Sequence, residues 1–270
     1  MFQPFQATGI GIHTGISVTA VVSPAPPGSG TIFVRDTVEI PARGSYLDDN
    51  PALCTTLTRE NRSVRTVEHL LAALAAVGEK DVCIAVDGPE LPILDGSAAP
   101  WLRMLRERGA SGSFRFSVLE EGIEISSGNA HAVVTPCRHP DQAFLEATLD
   151  LTAIGMGMQH RRFRPEKEPF DVLASARTFA LEKNIVEMRK AGYAKGGSLE
   201  NALVIGEGGV LNPEGARFTD EAVRHKIVDA IGDLSLLGAL PRAKISLFRP
   251  GHHLLHKMVR RIENVGFRSM

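Results

Sequence analysis

Apolar positions along the chain follow two periods, one of two residues and one near 3.6, and these divide it into strands and helices. Residues 17–22 and Thr31–Arg35 are rich in β-branched side chains and flank a Pro/Gly-rich turn at 24–30, so both are predicted as strands. Val67, Leu70, Leu71, Leu74 and Val77 recur at helical spacing and predict a helix over 66–77, with Gly78 to stop it. A strand over 81–86, a loop over 88–92 and a second helix over 99–108 follow.

The small, polar run Gly109-Ala110-Ser111-Gly112-Ser113 is the best candidate boundary, giving domains 1–112 and 113–270. Beyond it, strands are predicted near Phe116–Leu119, 123–126, 130–135 and Phe144–Leu151, then a short helix over 185–191 and a short strand over 202–205. A longer helix over 219–237 carries Val223, Ile227, Ala230, Ile231 and Leu234 as its apolar stripe. A strand over 244–248 and a helix over 252–264 end the pattern. Strands followed by paired helices, twice over, predict an α+β protein of two similar domains, each a sheet with helices on one face.

Composition narrows the function classes. The 270 residues are 43% hydrophobic and 23% charged with a net charge of −1, an ordinary globular balance that gives no reason to expect a nucleic-acid partner. The basic run His160-Arg161-Arg162-Phe163-Arg164 is expected as a solvated loop, with anion binding as the alternative. The amino terminus lacks the pattern of a signal peptide, and no apolar run approaches the ~20 residues of a membrane span. Cys54, Cys83 and Cys137 are widely spaced and odd in number, so no disulfide framework is expected. A reducing, cytoplasmic location is the expectation.

Candidate chemistry gathers at three places. His225 and Asp229 are four residues apart and leave one helix face a turn apart, and both are good ligands for zinc. Such a pair is also common on charged surface helices. Asp233, one turn further on, extends it into a polar stripe beside the apolar one, with Lys226 next to His225. Glu68-His69 could supply a third ligand and a neighbour for a bound water, or could be a helix start with a favourable acidic residue. His252, in Gly251-His252-His253 at a strand-to-helix turn, is placed to act as a proton donor, or simply to pack. Gly192–Ser198 lacks the closing Lys-Ser/Thr of a phosphate loop, so nucleoside-triphosphate binding is not expected.

Taken together, several stretches resemble one family. They are Ala7-Thr8-Gly9-Ile10-Gly11-Ile12-His13-Thr14-Gly15, Leu53-Cys54-Thr55, Thr66-Val67-Glu68-His69-Leu70 and Leu91-Pro92-Ile93-Leu94-Asp95-Gly96-Ser97-Ala98. In the second half they are Ala176-Arg177-Thr178-Phe179, Gly196-Gly197-Ser198, the run from Val223 to Leu234, and Gly251-His252. In this order they resemble the zinc-dependent UDP-3-O-acyl-N-acetylglucosamine deacetylases of lipid A biosynthesis.

The resemblance implies two α+β domains with the active site between them, and one catalytic Zn2+ on His69, His225 and Asp229. The same donors also suit Fe2+. It implies Glu68 as general base, His252 as general acid, Asp233 as the carboxylate that orients His252, and Lys226 and Thr178 beside the reacting carbonyl oxygen. Cys54 matches a cysteine near the metal that is not a required ligand. An insert near 181–205 is implied to border a passage for the acyl chain, with Ile185, Val186, Met188, Leu199, Ala202 and Leu203 suited to line it. Ile185, Leu199, Gly197 and Ser198 are the substrate-binding candidates. The partner implied is the UDP-linked acylated amino sugar, with no nucleic acid, no transmembrane segment, and a monomer favoured.

One stretch departs from the family pattern. Where the family has an Asp-Phe-x-His-Pro-like loop toward the nucleotide, this chain reads Asp150-Leu151-Thr152-Ala153-Ile154-Gly155. An aromatic surface for the uracil is therefore missing or supplied elsewhere, and His160, Arg161, Arg162 and Arg164 are candidates to contact the diphosphate. Two other readings stay open: a zinc deacetylase of another N-acetylated sugar, and a non-catalytic lipid- or nucleotide-sugar-binding homologue.

Overall fold

Alternation in the first predicted strand is realised as a half-buried ladder: Val18, Ala20 and Val22 face the core while Ser17 and Val21 face out. The computed structural model describes residues 2–49 and 53–268. The first half contains strands β1 (Phe5–Ile10), β2 (Ser17–Pro24), β3 (Thr31–Arg35), β4 (Val38–Pro41), the hairpin pair β5 (Thr56–Arg59) and β6 (Arg62–Arg65), and β7 (Val82–Val86). Helix α1 (Glu68–Ala76) precedes β7 and α2 (Ala99–Glu107) follows it.

The second half contains β8 (Phe116–Leu119), β9 (Ile123–Ser127), β10 (Ala130–Pro136), β11 (Phe144–Leu151) and β12 (Gly157–Phe163). The one-turn helix α3 (Asp171–Ala174) leads to β13 (Phe179–Leu181), α4 (Glu182–Lys190), β14 (Leu203–Gly206) and β15 (Gly209–Val210). Helix α5 (Glu221–Ser235), strands β16 (Leu240–Pro241) and β17 (Ala243–Phe248), helix α6 (His252–Val265) and β18 (Phe267–Arg268) complete it.

Two five-stranded sheets share one connectivity. The first runs β1-β2-β7-β3-β4 and the second, read from its other edge, β9-β10-β17-β11-β12. In each, the last strand in sequence enters the middle, antiparallel to the second strand and parallel to the third. Helix α1 thereby corresponds to α5, and α2 to α6. The protein is therefore two similar α+β domains, and α5 packs on β11 and β12 while α6 packs on β9 and β10. We propose that the domains divide near residues 112 and 113, in the loop that joins α2 to β8. Among the described residues no helix is long and apolar enough to cross a membrane.

The equivalent helices α1 and α5 pack against each other. From Glu68 to Leu74 every residue of α1 is buried, as expected of a helix enclosed between layers. The approach is close because Gly232 faces α1: a Cβ there would lie 2.1 Å from the Glu68 carbonyl oxygen. This contact brings the start of α1 to the middle of α5.

Several boundaries differ from expectation for local reasons. Helix α1 begins at Glu68 rather than 66, because Thr66 adopts φ 57, a left-handed conformation that β-branched residues rarely take. Its hydroxyl donates to Glu90 Oε1 at 2.8 Å, which holds it there. Helix α5 spans Glu221–Ser235 within the predicted 219–237, and α4 starts at Glu182 rather than 185. The basic run over 160–164 is not a loop: 160–163 are the end of β12, paired with β11. Strands β4, β5 and β6 were not predicted, because each buries a single residue (Ile40, Leu57 and Val64), too few to show an alternation.

Replacing Gly232 by alanine is expected to destabilise the protein by about 2 kcal/mol, as overpacking of a close helix contact does. Thermal denaturation should show a midpoint lower by roughly 4–8 °C. An unchanged midpoint would show that α1 and α5 can separate freely.

Candidate metal and catalytic centre

Helix α5 presents His225, Asp229 and Asp233 on one face, one turn apart, and the start of α1 presents Glu68 and His69 to that same face. All five are buried. The Nε2 of His225 lies 3.2 Å from Asp229 Oδ1, and the Nε2 of His69 lies 3.7 Å from that oxygen. The two imidazole rings stand nearly perpendicular, centroids 4.9 Å apart.

These atoms make poor partners for each other and good partners for a cation. His225 Nδ1 is 3.0 Å from the Ala176 carbonyl oxygen, which can only accept, so the ring hydrogen is on Nδ1 and Nε2 is bare. A bare nitrogen then faces a carboxylate oxygen at 3.2 Å, and that oxygen, Asp229 Oδ1, is buried with no hydrogen-bond partner. Two ligand atoms on one tetrahedral ion with bonds of ~2.0–2.1 Å lie roughly 3.3 Å apart, close to what is found here. The donor set of two imidazoles and one carboxylate leaves one position of such an ion open, the catalytic rather than the structural pattern.

Electrostatics agrees. Burial pushes the His69 imidazole down to about 3, helped by His225, and burial likewise lowers His225. Both rings are therefore neutral, the form that ligates. Burial alone would raise Asp229, but His225, Lys226, His252 and His69 hold it far below the usual carboxylate range. The Asp229 Oδ2 atom accepts from Lys226 Nζ at 2.9 Å. Burial pushes the Cys54 thiol up to about 12, so this sulfur stays protonated and is a poor ligand.

Glu68 and His252 face each other across the centre, with His252 Nε2 3.8 Å from both Glu68 Oε1 and Asp229 Oδ2. Burial pushes the Glu68 carboxyl up to about 8, against the pull of His252 and with the charges of Asp229 and Asp233 adding. His252 goes the other way: burial opposes its charge, but Asp233 and then Glu68 and Asp229 raise it to about 9. Asp233 Oδ2 accepts from His252 Nδ1 at 3.0 Å, which leaves Nε2 turned toward Glu68 and Asp229. A buried carboxyl pushed to about 8 faces an imidazole raised to about 9, so an ionised base and a protonated acid coexist between those values.

A cavity of about 580 Å3 opens on these groups. Its lining includes Thr178, Lys226 (bonded to Asp229), the apolar Ile185, Met188, Leu199 and Ala202, and Gly197 and Ser198. Two residues suited to that lining by sequence lie elsewhere: Val186 is 60% exposed, and Leu203 is packed into the core. The segment over 181–205 is tied down by backbone bonds from Gly196 to Ile12 and from Lys195 to His13.

The basic run does not join the centre. Arg161 is paired with Glu168 and Arg162 with Glu146, and His160 Nδ1 is bonded to Thr148. Two of the arginines considered for the diphosphate are thus already engaged by carboxylates. The departing segment 151–155 is a 3-10 turn, Thr152–Ile154, ended by Gly155 at φ 77.

Other groups in and around the centre escaped the sequence. Thr55 and His256 are buried against Asp233 and His252, and Glu90 anchors the loop of His13 and Thr14 by accepting from both backbone amides. His256 follows His252 by four residues, the same spacing that singled out His225 and Asp229, and could have been found by it. Arg177 is buried and bonded to Glu221, in the first turn of α5, and to Glu214. That pair fixes the segment whose Ala176 carbonyl orients His225 and whose Thr178 lines the cavity.

Comparison with known proteins places these features in context. Residues 1–264 match the family model of UDP-3-O-acyl N-acetylglycosamine deacetylase. The UDP-3-O-acyl-N-acetylglucosamine deacetylase of Myxococcus xanthus is 39% identical over 262 residues, 94% of this chain and 82% of the relative. That of an Anaeromyxobacter species is 41% identical over 261 residues, 94% of this chain and 84% of the relative. The protein of the same name from a Nostoc species is 39% identical over 266 residues, 94% of each chain.

Removing the Glu221 carboxylate (Glu221→Ala) is expected to cost about 3–5 kcal/mol, because it strands the buried Arg177 guanidinium. Chemical denaturation of the variant checks this. A loss under 1 kcal/mol, read on the same scale, would mean that Glu214 alone satisfies Arg177.

Proposed function

This chain belongs to the UDP-3-O-acyl N-acetylglycosamine deacetylase family, and from that premise we propose how its residues divide the work. The reaction hydrolyses the N-acetyl group of UDP-3-O-acyl-N-acetylglucosamine to acetate and the free 2-amino sugar, the lipid A biosynthesis step.

In our reading His69, His225 and Asp229 hold one divalent ion, zinc by the chemistry of the donors and iron(II) as the alternative. The unpartnered Asp229 Oδ1 beside the bare Nε2 of His225 is the observation that carries this assignment. When bound, such an ion supplies Lewis acidity, bringing the pKa of a water to ~7 and polarising a carbonyl.

Glu68 accepts the proton of the attacking water. One of its oxygens, Oε2, takes a hydrogen bond from the Thr55 amide at 3.1 Å, which leaves Oε1 on the side of His252 to act. His252 donates from Nε2 to the departing nitrogen, which leaves readily only as a protonated amine. Asp233 holds the ring by Nδ1 and stabilises its charged form. Thr178 and Lys226 stand on the cavity wall, where a hydroxyl and an ammonium favour the developing oxyanion. The Lys226 ammonium is also bonded to Asp229, so it steadies that ligand as well. Ile185, Met188, Leu199 and Ala202 give the acyl chain an apolar surface, with Gly197 and Ser198 at its edge.

Two outcomes check the assignment. Glu68→Gln keeps the shape and the bond from Thr55 but cannot take a proton, so kcat should fall by about 10²–10⁴ with metal content unchanged. Retained activity would remove Glu68 from the base role. The second outcome concerns pH. His252 must be protonated to act, and its raised pKa keeps it so until about 9, so activity falls as pH rises through that value. His252→Gln should lower kcat and abolish this alkaline limb; an unchanged limb would assign it to another group.

A further inference from the structure

Thr55 lies immediately before β5, fully buried, and its hydroxyl sits between three side chains of the centre. The oxygen is bonded to Asp233 Oδ1 and lies 3.1 Å from His252 Nδ1 and 3.0 Å from His256 Nε2. Asp233, His252 and His256 on their own have spacing that could suit a metal ion. The Thr55 oxygen fills the space between them, so the group closes around a hydroxyl and not around a second ion.

The hydrogen-bonding capacity of that hydroxyl is fully used. A threonine hydroxyl has one hydrogen to give and two lone pairs to fill. The hydrogen goes to the Asp233 carboxylate, which can only accept, and the two imidazoles can fill the lone pairs. His256 Nδ1 is buried without a partner, which costs least when the ring hydrogen is on Nε2, facing Thr55. His252 Nδ1 shares its hydrogen between Asp233 Oδ2 at 3.0 Å and the threonine oxygen.

The backbone of the same residue reaches the other side of the centre. The Thr55 amide donates to Glu68 Oε2 at 3.1 Å, and the Thr55 carbonyl accepts from Val67 N at the start of α1. One residue therefore bonds Glu68 through its main chain, and Asp233 and His252 through its side chain. These partners come from both domains, Glu68 on α1 and Asp233 and His252 on α5 and α6.

We infer that Thr55 is a positioning residue that fixes Glu68 and His252 relative to each other, its amide holding the base and its hydroxyl holding the Asp233–His252–His256 cluster that carries the acid. His256 belongs to this cluster as the third partner of the hydroxyl. The inference rests on the roles given above to Glu68 and His252.

The test is a set of steady-state measurements on UDP-3-O-acyl-N-acetylglucosamine with purified, metal-replete enzyme, with metal content and thermal midpoint recorded for each variant. Thr55→Val keeps the shape and the amide but removes the hydroxyl, and should lower kcat by about 10–100-fold, as loss of a supporting hydrogen bond does, with KM within about twofold. Thr55→Ser restores the hydroxyl and should recover most of that loss. In a His252→Ala background Thr55→Val should cost less than about threefold, because the group it positions is gone.

Wild-type kcat in Thr55→Val, an equal loss in both backgrounds, or no recovery in Thr55→Ser overturns the inference. If Thr55→Val does not fold, Thr55→Ala takes its place with the same outcomes. If Glu68→Gln and His252→Ala themselves leave kcat unchanged, the roles of base and acid fail and the inference falls with them. If those variants lose activity while Thr55→Val does not, only the role of Thr55 is overturned.

Discussion

A bare imidazole nitrogen and an unpartnered carboxylate oxygen, buried 3.2 Å apart, repel unless a cation lies between them. The centre depends on that constraint. Asp229 and Asp233 are held ionised and His252 is held protonated, while His69 and His225 are neutral. Lys226 and His252 offset the charges of the two carboxylates, but they leave the bare Nε2 of His225 and the Oδ1 of Asp229 facing each other without a partner, which is costly in the interior. In our reading a divalent ion on His69, His225 and Asp229 would be that partner, with the bonds that His225 gives to Ala176 and Lys226 gives to Asp229 orienting the donors for it.

The fold explains why these groups can meet. Two sheets of one connectivity place equivalent helices, α1 and α5, against each other, and Gly232 lets them approach. One helix contributes a residue pair at its first turn and the other a stripe along its middle. Neither domain holds the site by itself. The Arg177–Glu221 pair at the start of α5 and the Thr66–Glu90 bond before α1 then fix the two helix starts, so the candidate ligands are set by packed, hydrogen-bonded elements.

Much of this was legible in the sequence, and what was not has physical reasons. The strands that alternate, such as β2, and the helices with apolar stripes, such as α5, could be read from periodicity. Strands β4 to β6 could not, since each contributes one residue to the core. The doubling itself was legible in the strands followed by paired helices, twice over, but the shared strand order was not, because it resides in which strands pair and the two halves show no obvious sequence repeat. In the candidate centre, His225, Asp229 and Asp233 stood out by helical spacing, whereas for Glu68-His69 the source of a third ligand was one of two open readings, because the contact that joins it to them is long-range. Thr55 lay in a stretch that carried the resemblance but had no role attached to it, and Glu90 had no signal: a threonine after a cysteine and a glutamate in a loop become significant only when the chain folds around them. The basic run over 160–164 misled because a short charged stretch resembles a loop, whereas on β12 the glutamates of β11 and the following turn neutralise it.

Metal analysis tests the central claim most directly. Wild-type protein purified without added chelator should carry close to one equivalent of a divalent ion, and Asp229→Ala should carry none under the same conditions while keeping its fold by circular dichroism. A wild-type protein that is fully active with no bound metal, or an Asp229→Ala variant that binds it as well as wild type, would contradict the account.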